Sequence, residues 1–120
     1  MINIKTRKYA KTHEARKQKI LDRILLLNER QKTLPFSHIN KFFNSYSKDY
    51  VKVVLKELID ERKIVMVSGD GFTWFYHADV VDSIYKEFCG YSQKQLDKNF
   101  NIWVARDGLK EWIKERDEKK

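Results

Sequence analysis

The chain holds one cysteine, one proline and four glycines in 120 residues. A single cysteine excludes an internal disulfide and a cysteine zinc cluster, which leaves Cys89 the expected role of core filler. No run of about 18 apolar residues is present to span a bilayer. The opening "MINIKTRKYAKTHEARKQK" also lacks the apolar stretch of a secretory signal. The expectation is an intracellular protein, cytoplasmic or nucleoid-associated, with no membrane partner.

Chemistry-bearing patterns are equally scarce. The glycines stand at 69, 71, 90 and 108, and Gly69-Asp70-Gly71 is followed neither by a helix nor by a Lys-Ser/Thr pair, so it lacks the donor cluster of a phosphate loop. His13, His38 and His77 fall in separate elements, with no metal-ligand spacing to a second acid or cysteine. No Gly-x-Ser-x-Gly nucleophile motif occurs. These absences predict no catalytic residue, no metal and no cofactor, and therefore not an enzyme.

What is present is apolar mass and positive charge. A hydrophobic content of 42%, with 13% aromatic, suffices for a real core in one domain. The net charge of +8 is unevenly placed. Residues 1–33 hold ten Lys/Arg against three Asp/Glu, residues 34–77 six against five, and residues 78–120 nine of each. A basic first third on a nearly neutral body is the footprint of a protein that approaches a polyanion, most often nucleic acid.

Periodicity supplies the elements. From His13 to Arg30, Ile20, Ile24 and Leu27 fall at helical spacing, broadened by Leu21, Leu25 and Leu26, with a basic opposite side. Pro35 interrupts that pattern, and Ser37 is placed to cap a short helix over His38–Phe43. Ser47 is placed to cap a longer helix from Lys48 to about Arg62, with Val51, Val54, Leu55, Leu58 and Ile59 within one arc. "KIVMVSGDGFTWFYH", residues 63–77, has the alternation of a β-hairpin closed by a glycine-containing turn. Phe72, Trp74 and Tyr76 share one of its faces, and Thr73, Phe75 and His77 the other. One face closes the helical core, beside the extended piece near Leu34–Phe36, and the other is expected to pack beneath the C-terminal region.

Three further helical stretches follow. "DVVDSIYKEF" places Val80 or Val81, Ile84, Tyr85 and Phe88 on one side and ends at Gly90. "SQKQLDKNF" opens with a Ser-x-x-Gln capping box. "NIWVARDGLKEWIKERDEKK" offers a cap at Asp107 and a final helix with Leu109, Trp112, Ile113 and Arg116 down one stripe.

The order of elements in "SHINKFFNSYSKDYVKVVLKELIDERKI" and the hairpin after it resembles the winged helix-turn-helix superfamily of small DNA-binding regulators. The expected fold class is mainly α with a small β-hairpin (α+β), a winged helix-turn-helix with additional C-terminal helices. Its expected parts are a basic arm (1–14), a winged core (15–77) and a helical extension (78–120). The resemblance implies that "KDYVKVVLKELIDE" is the recognition helix and enters the major groove of double-stranded DNA by its N-terminal part. Ser47, Lys48, Asp49, Tyr50, Lys52, Val53 and Lys56 would then form the reading head, with lysines for phosphates or guanine edges and Val53 for a thymine methyl. Lys5, Arg7, Lys8, Lys11, Arg16 and Lys17 would hold the backbone. Glu57, Asp60 and Glu61 would repel DNA lying along the helix, so end-on entry is expected. The hairpin tip carries Asp70 and no base, unlike many DNA-touching wings, which predicts a mainly structural hairpin.

Such proteins commonly act as dimers on paired half-sites, and Leu109, Trp112, Ile113 and Arg116 are the candidate homodimer interface. The alternative to a transcriptional regulator is a winged-helix protein-interaction module that docks through the aromatic C-terminal segment. RNA binding ranks below both, for want of an identifiable aromatic stacking platform.

Overall fold

The structure is a computed structural model and describes the backbone of residues 4–119 and the side chains of residues 11–119. It is mainly helical with one small antiparallel sheet. The elements are α1 (Ile4–Arg30), α2 (Phe36–Phe42), α3 (Lys48–Asp60), β1 (Ile64–Gly69), β2 (Phe72–His77), a 3-10 turn (Ala78–Val80), α4 (Val81–Cys89), α5 (Gln93–Lys98) and α6 (Phe100–Glu118).

Four boundaries differ from the sequence expectation. The first helix begins at Ile4 and takes in the basic segment expected as an arm. Residues 4–30 contain neither Gly nor Pro and are rich in Lys, Arg, Ala, Leu and Glu, whose straight or small side chains lose little freedom in a helix. α2 starts at Phe36 behind Pro35, whose ψ of 163° is extended, so Ser37 lies inside the helix and caps nothing. α3 ends at Asp60, two residues short of Arg62, which sits in the left-handed region at φ 60°. α6 runs unbroken through Asp107 and Gly108, so Asp107 is not a cap. Gly108 serves packing: a Cβ there would stand 2.8 Å from Val67 Cγ1, so the missing side chain lets α6 lie directly on β1.

The hairpin register pairs Ile64 with His77, Met66 with Phe75 and Gly69 with Phe72, leaving Asp70-Gly71 as the two-residue loop. Within the hairpin, only Gly71 takes a positive φ, of 80°. Gly69 is small for space, since a Cβ there would meet the Phe72 ring at 2.5 Å. Phe75 N donates to Leu34 O at 2.9 Å and Pro35 bridges Trp74, which ties the extended piece to the outer edge of β2.

Alternation along the strands gives the hairpin two buried faces. Ile64 and Phe75 belong to a first core with Ile20, Ile24, Leu34, Ile39, Val54 and Leu58, built from α1, α2 and α3. Val65, Val67, Trp74 and Tyr76 belong to a second core with Val81, Ile84, Phe88, Leu96, Ile102 and Leu109, built from α4, α5 and α6. The hairpin thus divides two hydrophobic layers, with the C-terminal region packed on its second face as its aromatic pattern predicts. Ser92 caps α5 with the full reciprocal box to Gln95. Cys89 is exposed, against the expectation of a core filler, because Phe88 beside it takes the inward position of α4. Among the described residues, no helix is long and apolar enough to cross a membrane.

A candidate nucleic-acid interface around the third helix

α3 is fixed at its start by Ser47, whose Oγ accepts from Tyr50 N at 3.1 Å. Its inner face, Val51, Val54, Leu55 and Leu58, is buried in the first core. At 100° per residue, three other faces remain. Tyr50, Glu57 and Glu61 look toward α1, Asp49, Val53 and Asp60 look outward, and Lys48, Lys52 and Ile59 lie on the side of the hairpin, with Lys56 between the last two.

The α1 face is a polar clamp. His13 bonds Tyr50 Oη through Nδ1 at 2.8 Å and Glu57 Oε2 through Nε2 at 2.7 Å. Lys17 Nζ donates to Glu61 Oε1 at 2.9 Å and stands 3.2 Å from Glu14 and 3.6 Å from Glu57. The Glu61 hydrogen bond raises the Lys17 ammonium well above the ordinary lysine range, against the opposing effect of burial. The hydrogen bond from His13 holds the Glu57 carboxyl below its usual range. The acids expected to repel DNA are therefore largely answered from α1. Asp60 is paired with Lys56, at 3.6 Å one turn away.

The clamp corrects two expected site residues. Lys17 is only 8% exposed and engaged with three carboxylates, so it is withdrawn from any phosphate. Tyr50 points into the α1 contact, its hydroxyl against His13, and is not part of the outward face. Both follow from helix geometry, because residues 50, 57 and 61 share one side of α3.

The other expected residues lie as follows. Arg16 is half-buried, its guanidinium 5.2 Å from the Tyr46 ring and 5.8 Å from the Tyr50 ring, which places a cation at the amino end of α3. Lys48, Asp49, Lys52 and Lys56 are exposed, as is Lys11. Val53 is 53% exposed, an apolar side chain on the outer face. Ser47 is exposed but its hydroxyl serves the cap. The side chains of Lys5, Arg7 and Lys8 lie outside the described residues. Sequence reasoning did not identify His13 or Phe36. Phe36 sits 5.6 Å from Lys52 Nζ and 6.0 Å from Lys48 Nζ. The one-turn spacing of His13 and Lys17 was the available signal for the clamp, but its partners are over forty positions away.

Gly69, the last residue of β1, passes close to α6, since a Cβ there would lie 3.2 Å from Val104 Cγ1, while Asp70 and Gly71 beyond it are exposed. Of the candidate dimer residues, Leu109 is fully buried in the second core, which removes it from any interface between chains. Arg116 is held by Asp82 through two bonds, at 2.9 and 3.0 Å, and is committed within the chain as well. Trp112 and Ile113 pack partly against the second core and keep an outer flank. The described residues contain no cluster of three or more His, Cys, Asp or Glu able to hold a metal ion. Compared with protein-family models, with curated proteins and with solved structures, the chain matches none of them.

Proposed function

We propose that this chain is a winged helix-turn-helix protein that binds double-stranded DNA through the amino end of α3 and regulates transcription. The observation that carries the reading is the exposed pair Lys48 and Lys52 on one side of the Ser47-capped first turns of α3 and Arg16 on the other, over Tyr46 and Tyr50, with exposed Val53 on the outer face. The positive end of the helix adds to that field. The element order α1, α2, α3, hairpin, with Leu34 paired to β2, supports the same reading. The clamp from His13 and Lys17 supports it by offsetting Glu57 and Glu61, which would otherwise oppose a phosphate backbone. In this reading the helix enters end-on and the hairpin supports it from behind, since its tip carries Asp70 and no base. Pairing of two chains on a two-fold site would use the outer flank of Trp112 and Ile113.

The test is fluorescence anisotropy of the protein with a random duplex and the matched single strand across a salt series. Duplex binding should be preferred, with log affinity falling against log salt at a slope near −4 or steeper for about five phosphate contacts. Replacing Lys48 and Lys52 by Ala should reduce that slope by about 2. A wild-type protein that binds no duplex at about 50 mM salt would rule the proposal out.

A further inference from the structure

Between α3 and the first face of the hairpin lies an open groove of about 590 Å³. Its floor is apolar, formed by Phe36, Leu55, Ile59, Met66 and Phe75. Met66 is 46% exposed there, so the floor meets solvent. One wall is a row of three lysines, Lys48, Lys52 and Lys56, each one helical turn from the next. Among the described residues, Lys48 and Lys52 have no carboxylate partner within ion-pair distance, and Lys56 meets Asp60, one turn on, which is the one acid in the groove lining.

We infer that this groove docks a segment of a partner protein, apolar on one side and lined with Asp or Glu on the other. The row spans about 12 Å along α3, at 1.5 Å per residue, the length of two turns. A small anion would engage one or two of these ammonium groups, whereas a peptide with carboxylates at regular spacing engages all three. Nucleic acid would use the lysines and leave the apolar floor wet. An acidic amphipathic segment uses both, burying Met66 and Ile59 under its apolar side while its acids meet the rim. Because Lys48 and Lys52 also belong to the proposed DNA contact, the segment and DNA exclude one another on α3. That exclusion rests on the DNA reading, whereas the docking itself does not.

The probe is a fluorescein-labelled helical peptide with Leu and Phe at i, i+3, i+4 and i+7 and Glu elsewhere. Its control carries Lys in place of every Glu. Wild-type protein should bind the acidic peptide at least tenfold more tightly than the basic one. Met66→Asp puts a carboxylate in the floor without touching the lysines, and should weaken the acidic peptide at least tenfold with duplex affinity changed less than threefold. Thr73→Asp, in the same groove wall, does the same work if Met66→Asp lowers the melting temperature. Lys48→Glu with Lys52→Glu should reverse the preference between the two peptides. Equal binding of the peptides, no binding of either, or retention of the acidic peptide by both floor variants would overturn the docking proposal. So would loss of duplex binding in the floor variants with peptide binding kept, which would assign the floor to nucleic acid. Peptide binding in a protein that binds no duplex would sink the DNA reading and leave the groove standing.

Discussion

Asn28 is 4% exposed and commits both ends of its amide to one strand. Its Nδ2 donates to Phe75 O at 3.0 Å and its Oδ1 accepts from His77 N at 2.7 Å. These are backbone groups on the outer edge of β2 that no neighbouring strand reaches, so α1 pairs them with a side chain instead. Replacing Asn28 by Leu leaves a buried donor and acceptor unsatisfied, and should destabilise the protein by about 2–4 kcal/mol in urea denaturation. Arg62 presents the opposite situation. It occupies the left-handed position after α3, where Arg62 N bonds Ile59 O at 3.0 Å and Lys63 N bonds Leu58 O at 2.9 Å, a helix stop usually built on glycine. Among the described residues its side chain makes one ion pair, a 3.4 Å contact with exposed Glu115, and its Nη1 is buried without a hydrogen-bond partner. Arg62→Gly should therefore raise stability by about 0.5–1 kcal/mol, the relief of backbone strain exceeding the larger entropy of glycine in the unfolded chain. A fall in melting temperature would mean that the Arg62 side chain holds α6 more firmly than its single ion pair indicates.

At the scale of elements, two contacts set the positions of the rest. The first is α6 on β1. Gly108→Ala should improve helix propensity yet destabilise by about 1–3 kcal/mol, because the new methyl overlaps Val67 Cγ1. Adding Val67→Ala should recover part of the loss, a coupling that a double-mutant cycle measures. The second contact is the clamp between α1 and α3. The carboxyl of Glu57 is depressed in the folded state, so its contribution is complete above the unfolded value, about pH 4.3, and is lost as pH falls through the folded one. Lys17 is raised, so its contribution is present below about pH 10.4 and is lost as pH rises through the folded value. Glu57→Gln should accordingly make stability less steep on the acid side, read as the urea midpoint between about pH 5 and 3. Glu57 is partly exposed, so the effect at neutral pH should be only about 1 kcal/mol.

These two contacts also mark what was legible in the sequence. Ser47, the inner arc of α3, the alternating hairpin and the Ser92 box are local signals, and each is found at its expected place. Asp107-Gly108 carries a local signal too, that of a helix break, and here proximity to Val67 outweighed it. The pairing of His13 with Glu57 joins residues 44 positions apart, and no spacing rule reaches that far. For the same reason nothing in the sequence separates Lys17 from the exposed cations of α1, since its burial depends on where α3 comes to lie.

At the scale of the whole molecule, residues 78–120 close the second core against the hairpin. Without them Val65, Val67, Trp74 and Tyr76 would face water from one side of a two-stranded hairpin. A fragment ending at residue 77 should lose the sharp urea transition of the full chain and bind hydrophobic dyes, because an exposed apolar face of this kind associates or disorders. A fragment that unfolds cooperatively would show that the first core suffices alone. The two cores share a single wall, and neighbouring residues on that wall cannot move independently. Phe75 lines the groove beside α3 while Trp74, the next residue, is buried on the far side against Phe72, ring centroids 4.4 Å apart. Trp74 is thus an optical reporter placed behind the groove. With Trp103 and Trp112 changed to Phe, its emission should follow occupancy of the α3 side without any dye attached to the protein.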